Sequence, residues 1–120
     1  MTWDNLRQMK QWGFYIGSHS VSHIDCASER EEKVVAELNQ SRLDLDRELG
    51  AHDLIFAYPY GGKQHMTPGR LELVKSAGYV GCLSAYGGSN IGEVDRYNVL
   101  RRGIHWEYSD SDFIYQCLGI

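Results

Sequence analysis

His19 and His23 are the residues whose type and spacing point most directly to chemistry. They stand four apart in Gly17-Ser18-His19-Ser20-Val21-Ser22-His23. If that segment makes a single turn, both imidazoles face one cation, and imidazole nitrogen suits zinc and its first-row neighbours. The small residues between them permit a tight turn, and Ser18, Ser20 and Ser22 offer hydroxyls that can orient the rings. Spacing alone also fits two surface histidines on a polar loop. A second segment, Phe56-Ala57-Tyr58-Pro59-Tyr60-Gly61-Gly62, couples a proline that fixes the backbone to two glycines that allow a sharp turn. Its two tyrosines suit the apolar face of a sugar at a pocket rim, or equally the core beneath a plain strand-to-loop junction.

Both segments need elements to place them, and the pattern supplies these. Thr2 caps a first helix that carries Trp3, Leu6 and Met9 and ends at Gly13. Phe14–Ile16 reads as a short strand, followed by a polar loop from Gly17 to Ala27. Ser28-Glu29-Arg30-Glu31 has the form of a capping box opening the longest helix. Val34, Val35, Leu38, Leu45 and Leu49 recur there near helical spacing, and Gly50 closes it. Leu54–Tyr58 is a continuous apolar run, as in a strand buried on both faces, and Pro59 ends it.

Thr67-Pro68 opens a helix with Leu71, Leu73 and Val74 that stops at Gly78. Tyr79–Leu83 and Val99–His105 read as strands separated by a Gly-rich loop, and Ser109-Asp110 starts a last helix with Phe113, Ile114 and Leu118. Alternation of this kind predicts an α/β fold with a parallel sheet, whose active site lies at the C-terminal strand ends. Both chemical segments fall there.

Bulk properties narrow the partners. A chain of 120 residues, 42% hydrophobic and 23% charged, is the size of one domain. Twelve basic and 16 acidic residues leave a formal net charge of −4, which gives no electrostatic footprint for nucleic acid or an anionic membrane. Neutral glycans remain open as substrates. The three cysteines, Cys26, Cys82 and Cys117, form no Cys-x-x-Cys pair, which argues against a disulfide framework and a thiolate zinc site and fits a reducing compartment. No run is long enough to span a bilayer and no signal-peptide leader opens the sequence, so cytoplasm and cell envelope both stay open as locations. Oligomeric state is not legible.

The order Ser-His-Ser-Val-Ser-His, long helix, Phe-Ala-Tyr-Pro-Tyr-Gly resembles the polysaccharide deacetylases with the NodB-type domain, carbohydrate esterase family 4. Their His-(Ser/Thr)-x-x-His motif is matched from His19 to His23. Ala57-Tyr58-Pro59-Tyr60-Gly61 matches their Arg-x-Pro-Tyr-Gly in all but the arginine, as in a branch that also lacks it. Leu100-Arg101-Arg102 looks like that branch too. The family's Thr-Phe-Asp-Asp-Gly motif has no counterpart in Met1 to Gly17, and Asp4, in a helical stretch, is no substitute. The resemblance therefore implies an N-terminally truncated deacetylase domain over residues 1–120, a partial (β/α) barrel of the NodB/glycoside hydrolase-deacetylase type. A full barrel needs roughly 200 residues.

The chemistry implied by the resemblance is hydrolysis of N-acetyl groups on a polysaccharide or oligosaccharide. The implied metal ligands are His19 and His23, holding zinc, with cobalt or nickel as alternatives. Tyr58, Pro59, Tyr60 and Gly61 are implied to bind substrate, and the Tyr60 backbone N–H to stabilise the oxyanion. His105, in Gly103-Ile104-His105-Trp106, is a loose match to the family's proton-donating histidine, and a strand histidine beside Trp106 is the plain alternative. Arg101 and Arg102 either replace the missing arginine or form a solvated basic strand end. His52 and His65 have no fitting context. Two further readings stay open: a catalytically incomplete remnant that binds glycan or metal, and an imide- or allantoin-type amidohydrolase of the same fold.

Overall fold

Residues 1–50 and 53–118 are described by a computed structural model of the chain. Helix α1 (Trp3–Gln11) begins as its sequence dictates: the Thr2 hydroxyl accepts the Asn5 N–H while the Asn5 side chain accepts the Thr2 N–H. None of its residues is buried. It lies along α2, tied by an Arg7–Glu48 ion pair and by Lys10 donating to the Leu49 carbonyl.

Helix α2 (Glu31–Leu49) buries Val34, Leu38, Ser41, Leu45 and Leu49, a single stripe at helical spacing, and Gly50 ends it in the left-handed conformation. The expected capping box at Ser28 does not form. Ser28 and Glu29 instead donate their N–H groups to the Asp25 carbonyl in a turn, and Arg30 becomes the N-cap without a side-chain hydrogen bond. Asp25 wins because its carbonyl and carboxylate organise the residues after Ile24 before the helix can start.

Strand β1 (Ile55–Ala57) pairs in parallel with β2 (Gly81–Leu83), Ile55 opposite Gly81 and Ala57 opposite Leu83, with α3 (Pro68–Ser76) as the crossover. Isolated parallel bridges, Ser18 to Phe56 and Leu83 to Val99, extend this order on both sides. Among the described residues the sheet has two strands, each shorter than its apolar run.

Phe14–Ile16 is not a strand. Phe14 and Tyr15 are exposed, pairing waits until Ser18, and the Tyr15 hydroxyl accepts the Ile55 N–H and donates to the Asp53 carbonyl. Val99–His105 is not one either. Beyond Val99, the Asn90 side chain takes both the N–H and the carbonyl of Leu100, removing the groups a ladder would use. The last helix, α4 (Asp110–Leu118), starts after Ser109, whose hydroxyl accepts the Asp112 N–H.

The two sheet faces differ. Phe56, Tyr58, Cys82 and Ser84 are fully buried, in a core with Val34 and Leu38 of α2, Val74 of α3 and Tyr79. On the opposite face Ile55, Ala57 and Leu83 are half-buried and, with Gly17, His19 and Arg101, line a cavity of about 350 Å³.

Candidate functional site

The histidine loop is fixed to β1 by backbone chemistry. Ser18 N–H donates to the Ile55 carbonyl at 2.9 Å and the Ser18 carbonyl accepts the Ala57 N–H at 2.8 Å. Gly17 permits this approach, since a Cβ there would lie 2.9 Å from the Ile55 oxygen. Under the loop, the Ser18 hydroxyl donates to Ser41, and the Ser41 and Tyr79 hydroxyls gather at the Leu38 carbonyl, a buried polar network joining loop, α2 and the segment before β2.

His19 follows directly. Its Nδ1 lies 2.7 Å from the Ala57 carbonyl. A carbonyl only accepts, so Nδ1 carries a proton, and in the neutral ring that leaves the Nε2 lone pair for a metal. The His23 ring stands edge-on to His19 with centroids 4.8 Å apart. Two non-glycine residues hold left-handed backbone to allow this, Ser20 at φ 63° and His23 at φ 57°. Each costs about 1–2 kcal/mol and persists where the surroundings over-determine it.

The restraint comes from Glu37 of α2. Its Oε2 accepts the N–H groups of Val21 and Ser22 at 2.8 and 2.9 Å, and its Oε1 accepts the Ser22 hydroxyl at 2.5 Å. Partial burial alone would raise the Glu37 carboxyl, but the hydrogen bonds from Ser22 and Val21 outweigh it and hold the group below its ordinary range. Sequence reasoning missed this residue. The available signal was a carboxylate beside the apolar stripe of α2, one position before buried Leu38.

Tyr60 comes next to the histidines, its ring 5.0 Å from that of His23. It is 60% exposed, with a left-handed φ of 61°, and its backbone N–H meets no acceptor among the described residues. Gly61 also sits left-handed, and a Cβ there would fall 2.6 Å from the Ala85 Cβ, so glycine is required twice over. The Gly61 carbonyl accepts the Ala85 N–H at 2.8 Å, docking this turn on the exit of β2.

Tyr58 is a correction: it is completely buried rather than at a rim, because strand alternation turns it to the helix-covered face. Pro59 is buried as well. His65 is brought closer than its sequence context predicts. A turn of 3-10 helix, Lys63–His65, sets its ring 5.5 Å from Tyr60, and its Nδ1 accepts the Gly62 N–H.

The two arginines separate. Arg101 donates from Nε to the Ser84 carbonyl at 2.6 Å and lines the cavity with His19, and burial lowers its pKa. Arg102 instead bonds Gly88 and Ser89 in the Gly-rich loop. His105 lies in exposed irregular chain at the start of a turn, its ring against Tyr108 at 5.2 Å, and not in a strand. His52 lies outside the described residues. Among the described residues no group of three His, Cys, Asp or Glu side chains converges to hold a metal, and none of their helices is long and apolar enough to cross a membrane.

A mixed α/β fold with paired histidines at the strand ends is the frame into which the comparisons fit. The sequence model described as polysaccharide deacetylase matches residues 1–82, so the chain belongs to the polysaccharide deacetylase family. Three solved structures share its fold. The Streptococcus pyogenes deacetylase PplD, in complex with acetate, superposes with a TM-score of 0.80 at 21% identity, covering 97% of this chain and 50% of that one. A de-N-acetylase from Aggregatibacter actinomycetemcomitans gives 0.77 at 20%, covering 97% and 53%. The BpsB deacetylase domain from Bordetella bronchiseptica gives 0.72 at 21%, covering 85% and 48%. The chain thus spans about half the length of these structures. No curated protein matches it in sequence.

Proposed function

We propose that this chain belongs to a hydrolase that removes N-acetyl groups from a polysaccharide or oligosaccharide, using a divalent cation held by His19 and His23. Zinc is the first choice and cobalt or nickel the alternatives. One observation carries the reading: the His19 Nδ1–H bond to the Ala57 carbonyl, which leaves Nε2 available beside the His23 ring. That is the arrangement by which proteins fix the tautomer and orientation of a ligating imidazole. The donor set fits a cation in part, supplying two of the three protein ligands usual at a catalytic zinc. Such a cation would supply Lewis acidity toward an acyl oxygen.

The chain's own residues support the rest of the reaction, in which water adds to the acetyl carbonyl, the C–N bond breaks, and acetate and a free amine leave. The unengaged Tyr60 N–H is a donor for the oxyanion, and its exposed ring is a surface for the apolar face of a sugar. Gly61 holds that turn in place. His105 has less support as proton donor, since its ring lies on Tyr108. In this reading the four parallel segments at Ser18, β1, β2 and Val99 are an arc of a (β/α) barrel.

A second reading follows from the absence of a third ligand among the described residues: the chain by itself retains metal weakly and turns over slowly. A missing general base typically removes on the order of a hundredfold to ten-thousandfold in rate. The test measures zinc or cobalt retained through dialysis, and acetate released from an N-acetylglucosamine oligomer, for the chain and its His19→Ala variant. Metal retention that the variant does not reduce would end the metal reading. Robust turnover abolished by the variant would end the second reading.

A further inference from the structure

The loop between the two histidines is not self-supporting. Ser20 and His23 both sit in left-handed backbone, and Val21, between them, is exposed at 55% and anchors nothing. Something outside the loop must select this conformation over the many others open to a polar, serine-rich segment. The described contacts offer one group in that position, the Glu37 carboxylate, which uses both oxygens on two consecutive loop residues. Successive N–H groups converging on one anion form a backbone nest, a concavity suited to hold an anion. Glu37 is well placed to act as a fixed post. It stands nearly two turns into α2, between buried Val34 and Leu38 and one turn before Ser41, so its backbone cannot shift without opening the core.

We infer that Glu37 is a positioning residue whose carboxylate folds the Ser20–His23 turn and so brings the His23 ring to His19. The inference rests on the metal reading above for its consequence, though not for its geometry. Direct ligation and proton abstraction are different roles that a carboxylate near two histidines could fill. Both Glu37 oxygens are already committed to loop donors, and it joins no three-membered group of possible ligands among the described residues. A charge-assisted acceptor for two amides and a hydroxyl is instead what an ordering device looks like. A glutamine at this position keeps one carbonyl acceptor for the amides, whereas alanine keeps none.

The experiment uses the whole chain and its Glu37→Ala, Glu37→Gln and His19→Ala variants, and makes two measurements. Amide hydrogen exchange of Val21 and Ser22 is followed without metal, and Co²⁺ is titrated with the imidazole NMR signals of His19 and His23 as the readout. In Glu37→Ala the two amides exchange at least tenfold faster while those of Leu54 to Ala57 stay unchanged, and Co²⁺ affinity falls roughly tenfold to a hundredfold, the usual effect of losing a group that orients a ligand. Glu37→Gln recovers most of both. Unchanged exchange in Glu37→Ala overturns the inference, whatever the metal does. Faster exchange with unchanged Co²⁺ affinity overturns it as well, because the turn then plays no part in pairing the histidines. If wild type and His19→Ala bind Co²⁺ alike, the metal reading fails separately, and the exchange data alone decide whether Glu37 folds the turn.

Discussion

The histidine loop and the C-terminal helix are both short, polar-flanked segments, yet one is tied down at several points and the other is nearly free. The loop is stitched to β1 through Ser18 and to α2 through Glu37 and Ser41, above a fully buried layer of Phe56, Tyr58 and Cys82. Helix α4 buries nothing: Phe113, Ile114 and Tyr115 are about half exposed, and Leu118 is 66% exposed. The family match also stops at residue 82, before that helix. The contrast teaches that backbone regularity and structural commitment are separate properties. α4 is regular and uncommitted, whereas the loop is irregular and fixed.

Mutations should break the molecule unequally along this divide. The largest effect is expected from Phe56→Ala, which empties a completely buried ring site in β1 and should cost about 3–5 kcal/mol in denaturant unfolding. Gly61→Ala comes next, at about 2 kcal/mol or more, because the new Cβ meets Ala85 in a left-handed conformation. Ser41→Ala should cost about 1–2 kcal/mol by leaving Ser18 and Tyr79 short of a buried partner. Phe113→Ala in α4 should stay within about 0.5 kcal/mol. A loss there as large as at Ser41 would mean that α4 is packed against something, and the contrast would collapse.

The cysteines sharpen the same division chemically. Burial pushes Cys26 up to about 11 and Cys82 to about 12, while Cys117 on α4 is exposed. A thiol reagent should therefore modify Cys117 quickly and the other two only on unfolding. The sign for pH follows from the raised values. Unfolded thiols ionise near about 8.5, so above that pH the unfolded chain binds fewer protons than the folded one. Stability is then fully present below about pH 8.5 and falls as pH climbs toward 11, by up to about 1.4 kcal/mol per unit for each buried thiol. A flat unfolding midpoint between pH 8 and 10 would contradict this.

Much of this could be read before any coordinates. The Thr2 cap, the α2 stripe and its Gly50 stop, the Thr67-Pro68 start and the parallel order all follow from local rules, and the polar run from Gly17 to Ala27 marked the loop. The failures have more than one cause. Apolar runs such as Leu54–Tyr58 show which residues can pair, while the pairing itself is set by partners distant in sequence, so β1 keeps only Ile55–Ala57. Ser28 lost its cap to a turn on the Asp25 backbone carbonyl, and Leu100 lost its ladder to the Asn90 side chain, both through other hydrogen bonds competing for backbone groups. Glu37 was invisible because it acts on Val21 and Ser22, which only the fold brings near, whereas His65 is placed beside Tyr60 by the local Lys63–His65 turn.

The docking of Gly61 on Ala85 bears on what a motif match certifies. The turn that reads Tyr-Pro-Tyr-Gly is held there by a steric requirement at one carbon and a hydrogen bond at one carbonyl, both of them contacts within the chain. Selection for a folded chain would preserve that glycine even after turnover had been lost. The signature is thus as much a record of architecture as of chemistry. Saturating Gly61 and Gly87 and scoring soluble expression would separate the two kinds of information. Gly61 should return glycine alone, whereas Gly87, left-handed but facing open space, should also accept asparagine and aspartate.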